Sequence, residues 1–227
     1  MHPKFVHLNV HSEFSLIDSL IRIPRLLEKC KEGSAGAVGL TDSNNLFAAA
    51  KFVRSAEIAG VKPILGSEID IESEDKKVGC YKVVLLCQNK MGFENLCGLL
   101  SDLHQVEQNS ENEGYQEEHL FDSPLDGLIA LSGDLAGDIG KLIALGNHTE
   151  AKARLDNWND LFDSNYFCQV SRLGAPSEEK YIRAVSDLVG DKIGLVATNH
   201  VRFLEQHEFE AHDARVCIQE SRLLSDP

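Results

Sequence analysis

GLIALSGDLAGDIGKLIALGNHTEAKARLDNWNDLFDSNYFCQV, from Gly127 to Val170, holds the pattern that decides the fold. Leu128–Leu131 is a short apolar run of the kind that forms a buried strand. Two helical stretches follow it, Ala136–Leu145 and Thr149–Phe162, with apolar residues at helical spacing. Tyr166–Val170 is then a second buried strand. A strand, a helical crossover and another strand make a βαβ unit, whose strands lie parallel.

The same alternation extends in both directions. Upstream, Phe5–Val10 reads as a strand and Ile23–Lys31 as a helix, with Pro24 in its first turn where proline is tolerated. Ala37–Leu40 reads as a strand, Leu46–Ala59 as a helix stopped by Gly60, Pro63–Ile71 and Tyr81–Cys87 as strands, and Phe93–Leu103 as a helix. Downstream come a helix at Ser177–Val189, a strand at Gly194–Thr198 and a last helix at His207–Gln219. About seven β-then-α units in 227 residues predict a mostly parallel sheet covered by helices and closed into a barrel. The chain is expected to be one domain, 1–227. The stretch 107–126 interrupts the pattern with Glu107, Glu111, Glu113, Glu117, Glu118, Asp122 and Asp126 and no Lys or Arg, and reads as an acidic loop.

Composition narrows the function. Hydrophobic residues make up 43% and mean hydropathy is −0.19, values of an ordinary globular protein. The net charge of −14 disfavours a fold that grips a nucleic-acid backbone or an anionic membrane by itself. No apolar run is long enough to span a membrane, and the first residues lack a secretory pattern. The six cysteines form no CxxC and sit mostly in apolar surroundings, which predicts buried free thiols in a reducing cytoplasm. G-x-S-x-G, P-loop, G-x-G-x-x-G and H-E-x-x-H patterns are all absent.

In a parallel barrel, chemistry gathers where strands end at their C-termini. Those ends read His7-Leu8-Asn9-Val10-His11, Thr41-Asp42-Ser43, Gly66-Ser67-Glu68, Tyr81-Lys82, Gly133-Asp134, Cys168-Gln169 and Asn199-His200-Val201-Arg202, a polar series that predicts one cleft. At these residues FVHLNVHSEFSLIDSL, VGLTDSNNLFAAAKF, VKPILGSEID, GLIALSGDLAGDIG and LVATNHVRFLEQHEFEAHD resemble, in order, the motifs of the PHP (polymerase and histidinol phosphatase) domain. The branch they resemble opens the alpha subunit of bacterial DNA polymerase III, and the closing Leu223-Leu224-Ser225-Asp226-Pro227 resembles its junction with the polymerase.

The resemblance implies a distorted (β/α)7 barrel of the PHP type, whose intact members are metal-dependent phosphoesterases. Carried over residue by residue, His11, Asp18 and Glu68 keep the family's ligand types. Asn9, Ser43, Lys82, Asp134, His200 and Arg202 depart from them. Lys82 and Arg202 would put fixed cations where metal ions belong, so the resemblance implies a degenerate site, without catalytic residues or cofactor, in which they pair with Asp18, Glu68 or Asp134. It further implies a role in DNA replication as scaffold and docking surface, with the remainder of the polymerase subunit and the proofreading exonuclease subunit as partners. DNA would be met only through the full polymerase, a DNA-directed nucleotidyltransferase. The rival expectation is an active phosphoesterase: a 3′–5′ exonuclease, pyrophosphatase or small phosphate-ester hydrolase using zinc or manganese.

Overall fold

The computed structural model describes residues 5–16, 18–109, 115–219 and 221–224. Chain contacts sort into two compact units, Met1–Leu65 with His200–Pro227, and Gly66–Asn199.

In the first unit an extended segment at 5–11 lies between two neighbours. Gly39 N donates to His7 O at 2.7 Å and Thr41 N to Val10 O at 2.9 Å on one side. On the other, His11 N donates to Val201 O at 3.0 Å and Val201 N to Asn9 O at 3.1 Å. The expected strand Phe5–Val10 is thus present as extended chain, with an isolated bridge at Val10 in place of a regular ladder. Its approach to β1 (Ala37–Leu40) explains Gly39, where a Cβ would stand 2.6 Å from the Leu8 carbonyl oxygen. Helix α1 (Ile23–Glu32) buries Ile23, Leu26, Leu27 and Cys30, the stripe its spacing dictates. Helix α2 (Ala49–Ala59) adds Phe52 and Ala56 to the same core beside Val10, Val38 and Leu40. β1 pairs in parallel with the first residues of β2 (Lys62–Glu72).

In the second unit β2 continues against β3 (Cys80–Cys87), and here the expectation of parallel strands fails. β3 is antiparallel both to β2, with Asp70 opposite Lys82, and to β4 (Leu128–Leu131), with Leu86 opposite Ile129. The 73–79 connection is too short for the crossover that a parallel pair needs. Parallel pairing resumes from β4 to β5 (Tyr166–Val170) and from β5 to β6 (Gly194–Ala197).

Helix α3 runs over Lys90–Asn109, beyond the expected Leu103, and α4 (Glu117–Phe121) forms inside the stretch read as an acidic loop. That stretch is therefore partly helical; Glu111 and Glu113 lie outside the described residues. Helices α5 (Asp138–Ala144), α6 (His148–Leu161) and α7 (Glu178–Val189) follow, and α8 (Phe209–Gln219) belongs to the first unit. Cys30, Cys168 and Cys217 are buried free thiols as expected, whereas Cys80 is exposed. Burial pushes the Cys168 thiol up to about 12. Among the described residues no helix is long and apolar enough to cross a membrane.

The second unit is organised around Trp158 and Asp138. The indole stacks on Tyr166 at 5.7 Å, and its Nε1 donates to Asp138 Oδ2 at 2.8 Å. Arg154 lies 3.4 Å from the same oxygen and also pairs with Glu117. Burial raises the Asp138 pKa, against the lowering effect of the Trp158 bond and the Arg154 charge. Because the folded-state pKa is the higher one, protonated Asp138 favours the fold below about pH 4, and that contribution fades as pH rises through the raised value. Replacing Arg154→Leu strands two buried carboxylates and should cost about 3–5 kcal/mol at neutral pH. Urea titrations at a series of pH values check this, and the deficit should shrink as Asp138 takes up its proton in acid.

Candidate functional site

The nine family positions divide between the units, six in the first and three in the second. In the first unit the extended segment, β1 and the 200–202 segment bring all six together. Asn9 and His11 are fully buried. Asn9 Oδ1 accepts from Thr41 Oγ1 and from Arg202 Nη1, each at 3.4 Å. That fixes the amide orientation, so Asn9 Nδ2 donates to His200 Nδ1 at 3.3 Å. Arg202 Nε reaches Asp18 Oδ2 at 2.8 Å, and the other oxygen of Asp18 lies 3.1 Å from His11 Nδ1. Ser43 Oγ stands 3.3 Å from that same nitrogen.

Ser43, His11 and Asp18 have the composition of a nucleophile, base and orienting acid. Their geometry denies that chemistry. A triad places nucleophile and acid on opposite ring nitrogens, whereas here both approach Nδ1, so the imidazole cannot take a proton at one edge while being held by the other.

Beside this network is a hub that the sequence reading placed in the polar series but gave no role. Asp42 is 2% exposed. Its carboxylate accepts from Ser12 N at 2.6 Å, Ser12 Oγ at 2.8 Å and Ser15 Oγ at 2.7 Å. The Ser12/Ser15 pair two and five residues beyond the first strand was the available signal, since hydroxyls flanking a short turn seek a local acceptor. Here they tie the 12–15 turn to the end of β1.

In the second unit Lys82 stands between two acids. Its Nζ lies 3.0 Å from Glu68 Oε1 and 2.8 Å from Asp70 Oδ1. The register produces this arrangement. Lys82 is directly opposite Asp70, and Glu68 is one diagonal step away on the same face of the β2–β3 ladder. Lys82 is not at the C-terminal end of its strand, as a parallel barrel would require. It is near the start of β3, which the antiparallel direction sets beside the later residues of β2. Burial alone would lower the Lys82 pKa, but the charges of Glu68 and Asp70 and hydrogen bonds to both outweigh it and raise it. Glu68 is 1% exposed, so this ammonium compensates a carboxylate with almost no access to water. Asp70 was not anticipated, because an acid in an alternating strand reads as solvent-facing.

Asp134 is buried at the start of a 3-10 turn, Asp134–Ala136, and Ser171 Oγ donates to its Oδ2. Among the described residues, no group of three or more His, Cys, Asp or Glu side chains is placed to hold a metal ion.

Comparison with known proteins identifies the family. Residues 7–172 match the PHP domain family. The chain is 35% identical over 231 aligned residues to DNA polymerase III subunit alpha of Pasteurella multocida, covering 99% of this chain and 19% of that protein. It is 36% identical to the Pseudomonas fluorescens subunit, covering 100% of this chain and again 19% of the relative. The chain thus spans about a fifth of the length of these relatives. Among solved structures, an amidohydrolase from Chromobacterium violaceum shares the fold with a TM-score of 0.55 and 10% identity, over 92% of this chain and 96% of that one. The expected PHP-type α/β fold is met, with β3 reversed. Matched by the family over residues 7–172 and by relatives at 35–36% identity over nearly its whole length, the chain belongs to the PHP domain family.

Proposed function

We propose that the chain is the N-terminal PHP domain of a cytoplasmic DNA polymerase III alpha subunit, in which the metal centre has been replaced by ion pairs. Its work in DNA replication is then scaffolding for the rest of the subunit and docking for the proofreading exonuclease subunit. The observation that carries this reading is the Lys82 ammonium held between Glu68 and Asp70. Arg202 on Asp18 repeats the solution in the first unit.

These donors do not fit a divalent metal centre. Coulomb's law puts the repulsion of a divalent ion about 4 Å from a fixed ammonium at several kcal/mol for an effective ε of ~20. Asn9 offers an amide where the family places an imidazole, and both its oxygen and its nitrogen have hydrogen-bond partners within the protein. The similarity of the chain to DNA polymerase III alpha subunits supports the polymerase setting.

Two measurements test the parts separately. Incubated with manganese or zinc, the chain should hydrolyse p-nitrophenyl phosphate and DNA ends no faster than its Glu68→Gln variant; metal-dependent turnover lost in that variant would establish the phosphoesterase reading instead. Surface plasmon resonance against the proofreading exonuclease subunit should give saturable binding, and a flat response removes the docking role.

The ion pair makes its own prediction. Lys82→Met leaves Glu68 buried and uncompensated and should lower stability by about 2–3 kcal/mol in urea unfolding, at the low end for buried pairs because Lys82 is partly solvated. Adding Glu68→Gln should recover most of that loss.

Restoring the ligands tests whether the backbone still presents them. The variant Asn9→His, Ser43→His, Lys82→His, His200→Asp, Arg202→His removes two cations and returns five of the family's six altered side chains, with Asp134 kept. A metal at about a hundred times its Kd adds ~2.7 kcal/mol by mass action, which for a chain of this size raises Tm by roughly 5–10 °C. Thermal melts with and without manganese or zinc should show that shift in the variant and none in the parent. A folded variant with no shift means the backbone has drifted along with the ligands.

A further inference from the structure

Leu161, the last residue of α6, lies between two concavities in the second unit. One, of about 430 Å3, has Phe121, Trp158 and Leu161 on its walls and Arg154 paired with Glu117 at its edge. The other, of about 350 Å3, continues past Leu161 to Leu125 and Phe162. Together they form a trough along α4 and the C-terminal half of α6. Phe121 is 44% exposed although its ring meets Trp158 edge-on at 5.7 Å, so one wall presents an aromatic face to water.

The surrounding segments carry one sign of charge. Asp126 and Asp163 line the second concavity, Glu118, Asp122 and Asp160 are exposed nearby in sequence, and the segments 115–131 and 155–165 contain no Lys or Arg. Arg154 does not offset them, since Glu117 and Asp138 engage its guanidinium. The crowding of charge is visible at Glu74, whose carboxyl is pushed above the usual range by its hydrogen bond to Glu118 and by that residue's charge.

An apolar concavity that continues into a polar one carrying Asp126 and Asp163 matches one kind of occupant. We infer that the trough receives a basic amphipathic segment of a partner protein, which seats a large apolar side chain against Phe121, Trp158 and Leu161 and sets Lys or Arg against Asp126, Asp163 and the neighbouring acids. A second copy of this chain would bring acid to acid, at −14 each, and nucleic acid would bring phosphate to carboxylate. This goes beyond the role proposed above, because it names a surface and a partner chemistry that hold whichever protein supplies the segment.

Trp158 is the single tryptophan, so its emission reports on the trough directly. A displayed random-peptide library panned on the intact chain should enrich sequences that combine Lys or Arg with a large apolar residue. The best of these, synthesised, should shift Trp158 emission and weaken steeply with added salt. Binding should fall about tenfold or more in Phe121→Ser, and likewise in the charge-reversed pair Asp122→Lys/Asp126→Lys, with Tm held. The inference fails if panning enriches no basic apolar sequence, or if the selected peptide binds both variants as it binds the parent. It also fails if Trp158 emission instead changes with protein concentration alone, which would make the trough a self-association surface. All three outcomes are independent of metal binding and of the exonuclease, so they leave the proposed function to its own tests.

Discussion

A full charge beneath the surface must find partners or give up its ionisation, and Asp138 is the place where this constraint governs the second unit. Its carboxylate is inaccessible to water at the start of α5. It accepts from Trp158 Nε1 and from Ile139 N at 2.7 Å, with Arg154 close by. Each of those contacts does something further. The indole held by Asp138 is the plate on which Tyr166 of β5 stacks and against which Phe121 of α4 rests. The guanidinium reaches on to Glu117, and its Nη2 donates to Ser73 Oγ at 3.0 Å just past β2. One acid therefore sets the packing of α4, α5 and α6 and the wall of the trough.

Asp138 also shows the rule by which the family positions are arranged. A buried carboxylate can be compensated by a metal or by a side-chain cation, and the electrostatic requirement is the same. Lys82 satisfies Glu68 and Asp70 in one unit, and Arg202 satisfies Asp18 in the other. Ammonium and guanidinium deliver that charge with hydrogen-bond directionality and without an open coordination position. Under the proposed reading, charge balance is kept while the capacity to polarise a phosphate is lost.

Much of this was legible, and the gaps have physical causes. Ala37–Leu40, Leu128–Leu131 and Tyr166–Val170 can be read to the residue because short apolar runs bounded by turn formers have few alternatives. The direction of β3 was not read, since YKVVLLC looks alike either way. The clue lay outside the strand, in a connection at 73–79 with no room for a helix. The same oversight misplaced Lys82 at a strand end and hid Asp70, whose role exists only in the antiparallel register. Helix α4 escaped because its acids show no periodicity beyond Leu120 and Phe121, and what holds it is the distant Arg154. Asp18 with Arg202 was legible for the opposite reason: two charges of opposite sign at positions that a family brings together leave little else for them to do.

Asp134 occupies left-handed backbone, at φ 55°, directly after Gly133 at φ 72°. Gly133 cannot yield its place, because a Cβ there would fall 2.1 Å from the Lys82 carbonyl oxygen. With the turn pinned in this way, the residue that follows must tolerate positive φ, a region where Asp and Asn are at home and branched or bulky residues are not. Mutation can therefore explore only a narrow alphabet at this position, whatever selection asks of its side chain. A carboxylate here records what the backbone permits as much as what its bond with Ser171 requires, so substitution at such a turn runs along a path drawn by conformation before function has any say.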